Sequence, residues 1–152
     1  MNFKKILMVI FMILGLGLAA GCGGSAASPT PAKSTAQQQA SLSGKKVLIA
    51  YFSWSGNTKA AAEKIQGLTG GDIYRIEAAD PYPGEYDATT DRAKQEQKDN
   101  ARPAIAGKAD LSKYDVIMVG YPIWWYQEPM IIDTFLESGD FSGKTIVPFC
   151  TS

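Results

Sequence analysis

The 152-residue chain has no histidine, only two cysteines and no surplus of either charge, with 15 Lys and Arg against 15 Asp and Glu. Histidine is the commonest general base and metal ligand, so its absence argues against a Ser-His-Asp hydrolase and a zinc centre. Balanced charge leaves no basic stripe, and nucleic acid is not an expected partner. No G-x-G-x-x-G follows a strand and no Gly-Lys-Ser/Thr closes a loop, which excludes the dinucleotide fingerprint and the Walker cradle. The longest apolar run, Ile6 to Ala20, has 15 residues, short of the roughly 20 that a spanning helix needs. No catalytic residue and no metal ligand is assigned.

What is present centres on Lys45 to Ile65, KKVLIAYFSWSGNTKAAAEKI. The unbroken apolar run Val47 to Phe52 reads as a strand buried on both faces, as in the middle of a parallel sheet. It passes into Ser53, Trp54, Ser55, Gly56, Asn57 and Thr58, and then into the helix formers Lys59 to Lys64. Short hydroxyls, a glycine and the unpaired N–H groups of a helix start together make an anion nest. The helix dipole favours a phosphate there without a cationic cluster. An ordinary strand-to-helix turn capped by Ser or Thr is the plainer reading of the same residues.

Residues 1–22 have the form of an export signal. Lys4 and Lys5 precede the apolar run, and Ala19-Ala20-Gly21-Cys22 places small residues before a cysteine. The segment resembles a bacterial lipoprotein signal, which implies lipidation of Cys22 and a membrane anchor outside the cytoplasm. It departs from the usual pattern in having Ala19, not leucine, three places before the cysteine. An uncleaved signal anchor is the alternative. Loss of Lys4 and Lys5 would take 15 basic residues to 13 against 15 acidic ones, a mildly acidic remainder. Residues 23–43 hold almost no large apolar side chain and read as a disordered tether, about 25 Å end to end as a flexible coil. The folded domain is expected over 44–152.

Within that domain, Asp72 to Glu77 reads as a second strand, at the sheet edge because Arg75 and Glu77 interrupt it. Asp80 to Gly84, DPYPG, breaks regular structure. Tyr86 to Asn100 reads as a peripheral helix with Ala88 and Ala93 as its apolar stripe and its charges on a solvated face. Ser112 to Tyr121 brings a third, central strand, with Tyr114 leading into Val116, Ile117, Met118, Val119 and Gly120, and Pro122-Ile123-Trp124-Trp125-Tyr126-Gln127-Glu128-Pro129 follows as a loop. Pro129 opens a helix through Met130, Ile131, Phe135 and Leu136 that Gly139 ends. Lys144 to Phe149 is the last strand, and Cys150 at its end reads as a small core residue.

Alternating strands and helices imply an α/β, doubly wound parallel sheet. Ligands of such sheets lie at the carboxyl ends of the strands where the winding reverses. Two adjacent tryptophans and a tyrosine in a loop there suit a planar aromatic ligand. One tryptophan is expected to pack under the following helix and the other to face the ligand, with the choice between them open.

Ser-x-Ser-Gly-Asn-Thr after the first strand, Gly-Tyr-Pro-Ile-Trp-Trp after the third and Pro-Phe-Cys-Thr-Ser along the fourth resemble, in that order, the three flavin loops of the flavodoxin family. The resemblance spans Lys45 to Ser152. It implies a flavodoxin-like fold with strand order 2-1-3-4, and FMN as cofactor. Ser53, Trp54, Ser55, Gly56, Asn57 and Thr58 would form the phosphate loop, Pro122, Ile123, Trp124, Trp125 and Tyr126 the loop along the ring, and Thr151 and Ser152 the start of the last loop. Complete members continue through a fifth strand, so a truncated chain with its fourth strand as an exposed edge is expected. The function implied is electron transfer, to a redox partner protein or a small-molecule acceptor. An FMN-dependent NAD(P)H:quinone-type reductase and a non-functional fragment are the alternatives.

Overall fold

A computed structural model describes residues 42–152. The signal segment, Cys22 and all but the end of the proposed tether lie outside the described residues. The chain runs β1 (Val47–Tyr51), α1 (Asn57–Thr69), β2 (Asp72–Arg75), α2 (Tyr86–Lys98), β3 (Val116–Pro122), α3 (Met130–Ser138) and β4 (Thr145–Thr151). All strand pairs are parallel, in the order β2-β1-β3-β4. This is the expected α/β doubly wound sheet, and the winding reverses between β1 and β3.

Every residue of β1 is buried, because its side chains alternate between two covered faces. Val47, Ile49 and Tyr51 join Ala62 and Val116 on the α1 side. Leu48, Ala50 and Phe52 join Ile117, Val119, Ile131, Ile132 and Phe135 on the other. The helix α3 starts after Pro129, whose missing N–H is harmless at a helix start, and stops at Gly139 as expected.

Four details differ from the sequence reading. Leu42, assigned to the tether, packs against the α1-side core, and its carbonyl accepts the Lys45 N–H at 3.0 Å. The buried stripe of α2 is Thr89 and Ala93, while Ala88 is exposed. Arg92 and Glu96 of the same helix turn inward, so its charges do not all form a solvated face. Cys150 is exposed, because β4 is an edge strand covered far less than β1 or β3.

At the β3–β4 seam Gly120 stands opposite Phe149. An added Cβ at Gly120 would lie 2.2 Å from the end of that ring, so the glycine lets the aromatic ring lie over the strand. Gly120→Ala is expected to destabilise the fold by about 1–3 kcal/mol through overpacking, measured by urea unfolding. In a Phe149→Ala background most of that cost should vanish, and simple additivity would show that the ring is not the cause.

Candidate functional site

The loop after β1 turns on Gly56, with φ of +96°, a left-handed conformation that suits glycine. Buried Ser53 shapes it by accepting the Gly56 N–H on its Oγ at 3.2 Å. Among the described residues no side chain caps α1. The first helical bond runs from the Ala60 N–H to the Gly56 carbonyl. The N–H groups of Asn57, Thr58 and Lys59 have no partner among the described residues, leaving the positive end of the helix available to an anion. Thr58 is buried, and its hydroxyl lies 2.9 Å from that of Thr151. That contact joins the first loop to the end of β4.

The loop after β3 is tied down first by the Ile123 N–H, which donates to the Thr151 carbonyl at 2.8 Å. Trp124 and Gln127 then exchange backbone hydrogen bonds of 2.9 and 3.1 Å, closing a two-residue turn over Trp125 and Tyr126. Their φ angles are +48° and +70°. Such a primed turn normally takes glycine, asparagine or aspartate, and each non-glycine residue in it costs about 1–2 kcal/mol.

The two tryptophans separate clearly. Trp124 is partly buried, edge-on to Phe52 at 5.4 Å and to Tyr82 at 5.2 Å between ring centroids. Trp125 is 45% exposed; its indole donates to the Thr90 carbonyl at 3.1 Å, and the Lys94 ammonium lies 5.2 Å from its ring. Tyr126 is 97% exposed at the rim. Trp54 is held from the other side, its indole donating to the Pro83 carbonyl at 2.8 Å.

The segment around Pro81 is fastened to α2 by Arg92, which donates to the Asp80 and Pro81 carbonyls and pairs with Glu96. The same guanidinium lies 4.2 Å from the Tyr82 ring centroid. Burial, and then its hydrogen bond to Glu96, pushes the Tyr82 phenol far above its usual range. Tyr82 therefore stays neutral beneath Trp124.

These parts enclose a cavity of about 540 Å³ at the carboxyl ends of β1 and β3. Of the residues singled out from sequence, Trp54, Ser55, Asn57, Pro122, Ile123, Trp124, Trp125, Tyr126, Thr151 and Ser152 line it. Ser53, Gly56 and Thr58 do not; they set the loop from beneath. The α2 residues Tyr86, Thr89, Thr90 and Ala93 complete the wall, and sequence reasoning missed them. Their spacing of three or four is helical, but a stripe of hydroxyls and alanine carries little hydropathy signal. None of the lining side chains is charged. A second cavity, about 430 Å³, shares Trp54 and lies beside β2. A third, about 590 Å³, opens at the opposite end of the sheet, between the loops that lead into β3 and β4. Of these three, formed among the described residues, the first joins all three of the loops singled out from sequence. Among the described residues no cluster of metal-ligating side chains occurs.

Fold and site together define a flavodoxin-like protein: a parallel sheet with an aromatic cavity and an open helix start at its reversal point. The chain belongs to the flavodoxin family, whose model, described as Flavodoxin, matches residues 46–152. It is similar to a Bacteroides eggerthii protein assigned as a flavoprotein, with 45% identity, TM-score 0.67, and 71% of each chain covered. A Bacteroides uniformis protein with the same assignment is 42% identical, with TM-score 0.66, over 72% of this chain and 73% of its own. A flavoprotein from Lactobacillus acidophilus, crystallised in complex with FMN, shares the fold at 24% identity, with TM-score 0.59, over 70% of this chain and 92% of its own. Comparison with curated proteins finds no match.

The division of labour between the tryptophans is measurable. Trp124→Ala should cost about 3 kcal/mol of stability, as expected for a packed aromatic. Trp125→Ala should cost about 1 kcal/mol or less, as for a half-exposed site. Equal losses in denaturant unfolding would contradict the assignment of Trp124 to the core.

Proposed function

We propose that the chain is an FMN-binding electron-transfer protein held outside the cytoplasmic membrane by a lipid on Cys22. One observation carries the cofactor reading: a single cavity with an uncapped helix start at one side and an aromatic turn at the other. A flat, largely apolar ring that carries a terminal phosphate calls for that pair of features. The residues present fit FMN, since about 540 Å³ lies within the usual 300–1,000 Å³ of cofactor pockets. The Lactobacillus flavoprotein in complex with FMN, which has the same fold, supports the same reading.

When bound, the flavin supplies one- and two-electron chemistry. The chain supplies binding and orientation. Ser55 and the free N–H groups of Asn57, Thr58 and Lys59 would hold the phosphate. With no cation in the lining, its charge would be met by N–H groups and the helix dipole. Trp125 and Tyr126 would cover the ring, with Trp124 and Tyr82 as a rigid support beneath. Exposure of Tyr126 leaves this edge accessible to a redox partner. The tether reading rests on the segment from Lys4 to Cys22.

Two measurements test these readings separately. Charge-assisted hydrogen bonds contribute about 1.5–3 kcal/mol, so Ser55→Ala should weaken FMN by on the order of tenfold to a hundredfold. Riboflavin, which has no phosphate, should bind as before. Equal losses for both ligands, or no flavin uptake by the wild-type chain, would overturn the phosphate assignment. For the anchor, Cys22→Ala should move the protein from the detergent phase to the aqueous phase or block its processing. Equal detergent partitioning of a correctly processed variant would rule out the lipid.

A further inference from the structure

We propose that Gln97 is a positioning residue: its side-chain amide, reaching across from α2, holds the Trp125–Tyr126 turn at the mouth of the cavity. Gln97 is half-buried in a helix of otherwise polar composition, next to its last residue. Its Nε2 donates to the Trp124 carbonyl at 2.9 Å. The same carbonyl accepts the Gln127 N–H at 3.1 Å, the bond that closes the turn. One oxygen therefore carries both the turn and its attachment to α2.

That attachment matters because the turn does not hold its own shape. Both central residues are left-handed, and neither is glycine, asparagine or aspartate. A backbone of this kind persists where its surroundings over-determine it. The helix α2 meets it through Gln97 on the Trp124 carbonyl, through the Thr90 carbonyl on the Trp125 indole and through the Lys94 ammonium beside the Trp125 ring. Only the first fixes the peptide plane. Without the amide, the Trp124 carbonyl keeps only the Gln127 N–H, so the turn opens more readily, Trp125 and Tyr126 relax toward negative φ, and their rings loosen from the wall they form. Thr90 and Ala93 of the same helix line the cavity, so α2 would form one wall and set the geometry of the one facing it.

The second arm of the test rests on the flavin reading; the first does not. In the full chain without cofactor, Gln97→Met keeps length and volume and removes the donor. Amide exchange at Gln127 should rise about tenfold or more as the turn opens locally, with β3 amides and the melting temperature unchanged. Gln97→Glu should behave alike near neutral pH, where a carboxylate cannot donate. It should return toward the wild-type rate, compared at equal pH, once acid protonates the introduced carboxyl. Gln127 exchange within about twofold of wild type in both variants would overturn the proposal. In the second arm, Gln97→Met should weaken FMN and riboflavin by the same factor, about tenfold, because the loss is on the ring side. Unchanged affinity for both, with a loosened turn, would overturn its role in the site. A wild-type chain that takes up neither flavin removes the cofactor reading and leaves the exchange comparison to decide the anchoring.

Discussion

Parallel pairing of β1 with β3 is the contact on which the rest depends. It runs from Val47 opposite Val116 to Tyr51 opposite Gly120, and the Phe52 N–H extends it to the Gly120 carbonyl. Both strands are covered on two faces, so a slip of one residue would send each apolar side chain to the wrong core. With the register held, the two loops that leave these strands must emerge side by side. An uncapped helix start and an aromatic turn then face one cavity, although some 65 residues separate them in the chain.

The rim of that cavity is built by mutual fastening. Pro83 accepts hydrogen bonds from both the Trp54 indole and the Thr89 hydroxyl. Arg92 gathers the carbonyls of Asp80 and Pro81 and lies against Tyr82. Tyr82 in turn supports Trp124. The helix α2 has little apolar surface, so these polar contacts, more than burial, hold it at the cavity. That is a different economy from α3, which buries Met130, Ile131, Ile132 and Phe135.

This contrast explains how much could be read in advance. The runs Val47 to Phe52 and Val116 to Val119 announce central strands because burial on both faces leaves no polar alternation. Pro129 and Gly139 mark the ends of α3 through backbone chemistry that needs no tertiary partner. The loop from Ser53 to Thr58 is legible for the same reason. Trp124 and Trp125 were not separable, because what distinguishes them is contact with Phe52 and Tyr82, distant in sequence. Cys150 looked internal because its strand is apolar, whereas exposure depends on the position of β4 at the sheet edge. The cavity wall on α2 stayed hidden because hydroxyls and alanine at helical spacing resemble any solvated helix.

The left-handed pair Trp125 and Tyr126 has one more consequence. A glycine at either position would relieve backbone strain and remove part of an aromatic wall in the same step. Thermal robustness and a covered cavity therefore make opposing demands on two adjacent codons. A screen for heat-tolerant variants alone would drift toward a firmer protein with an emptier mouth.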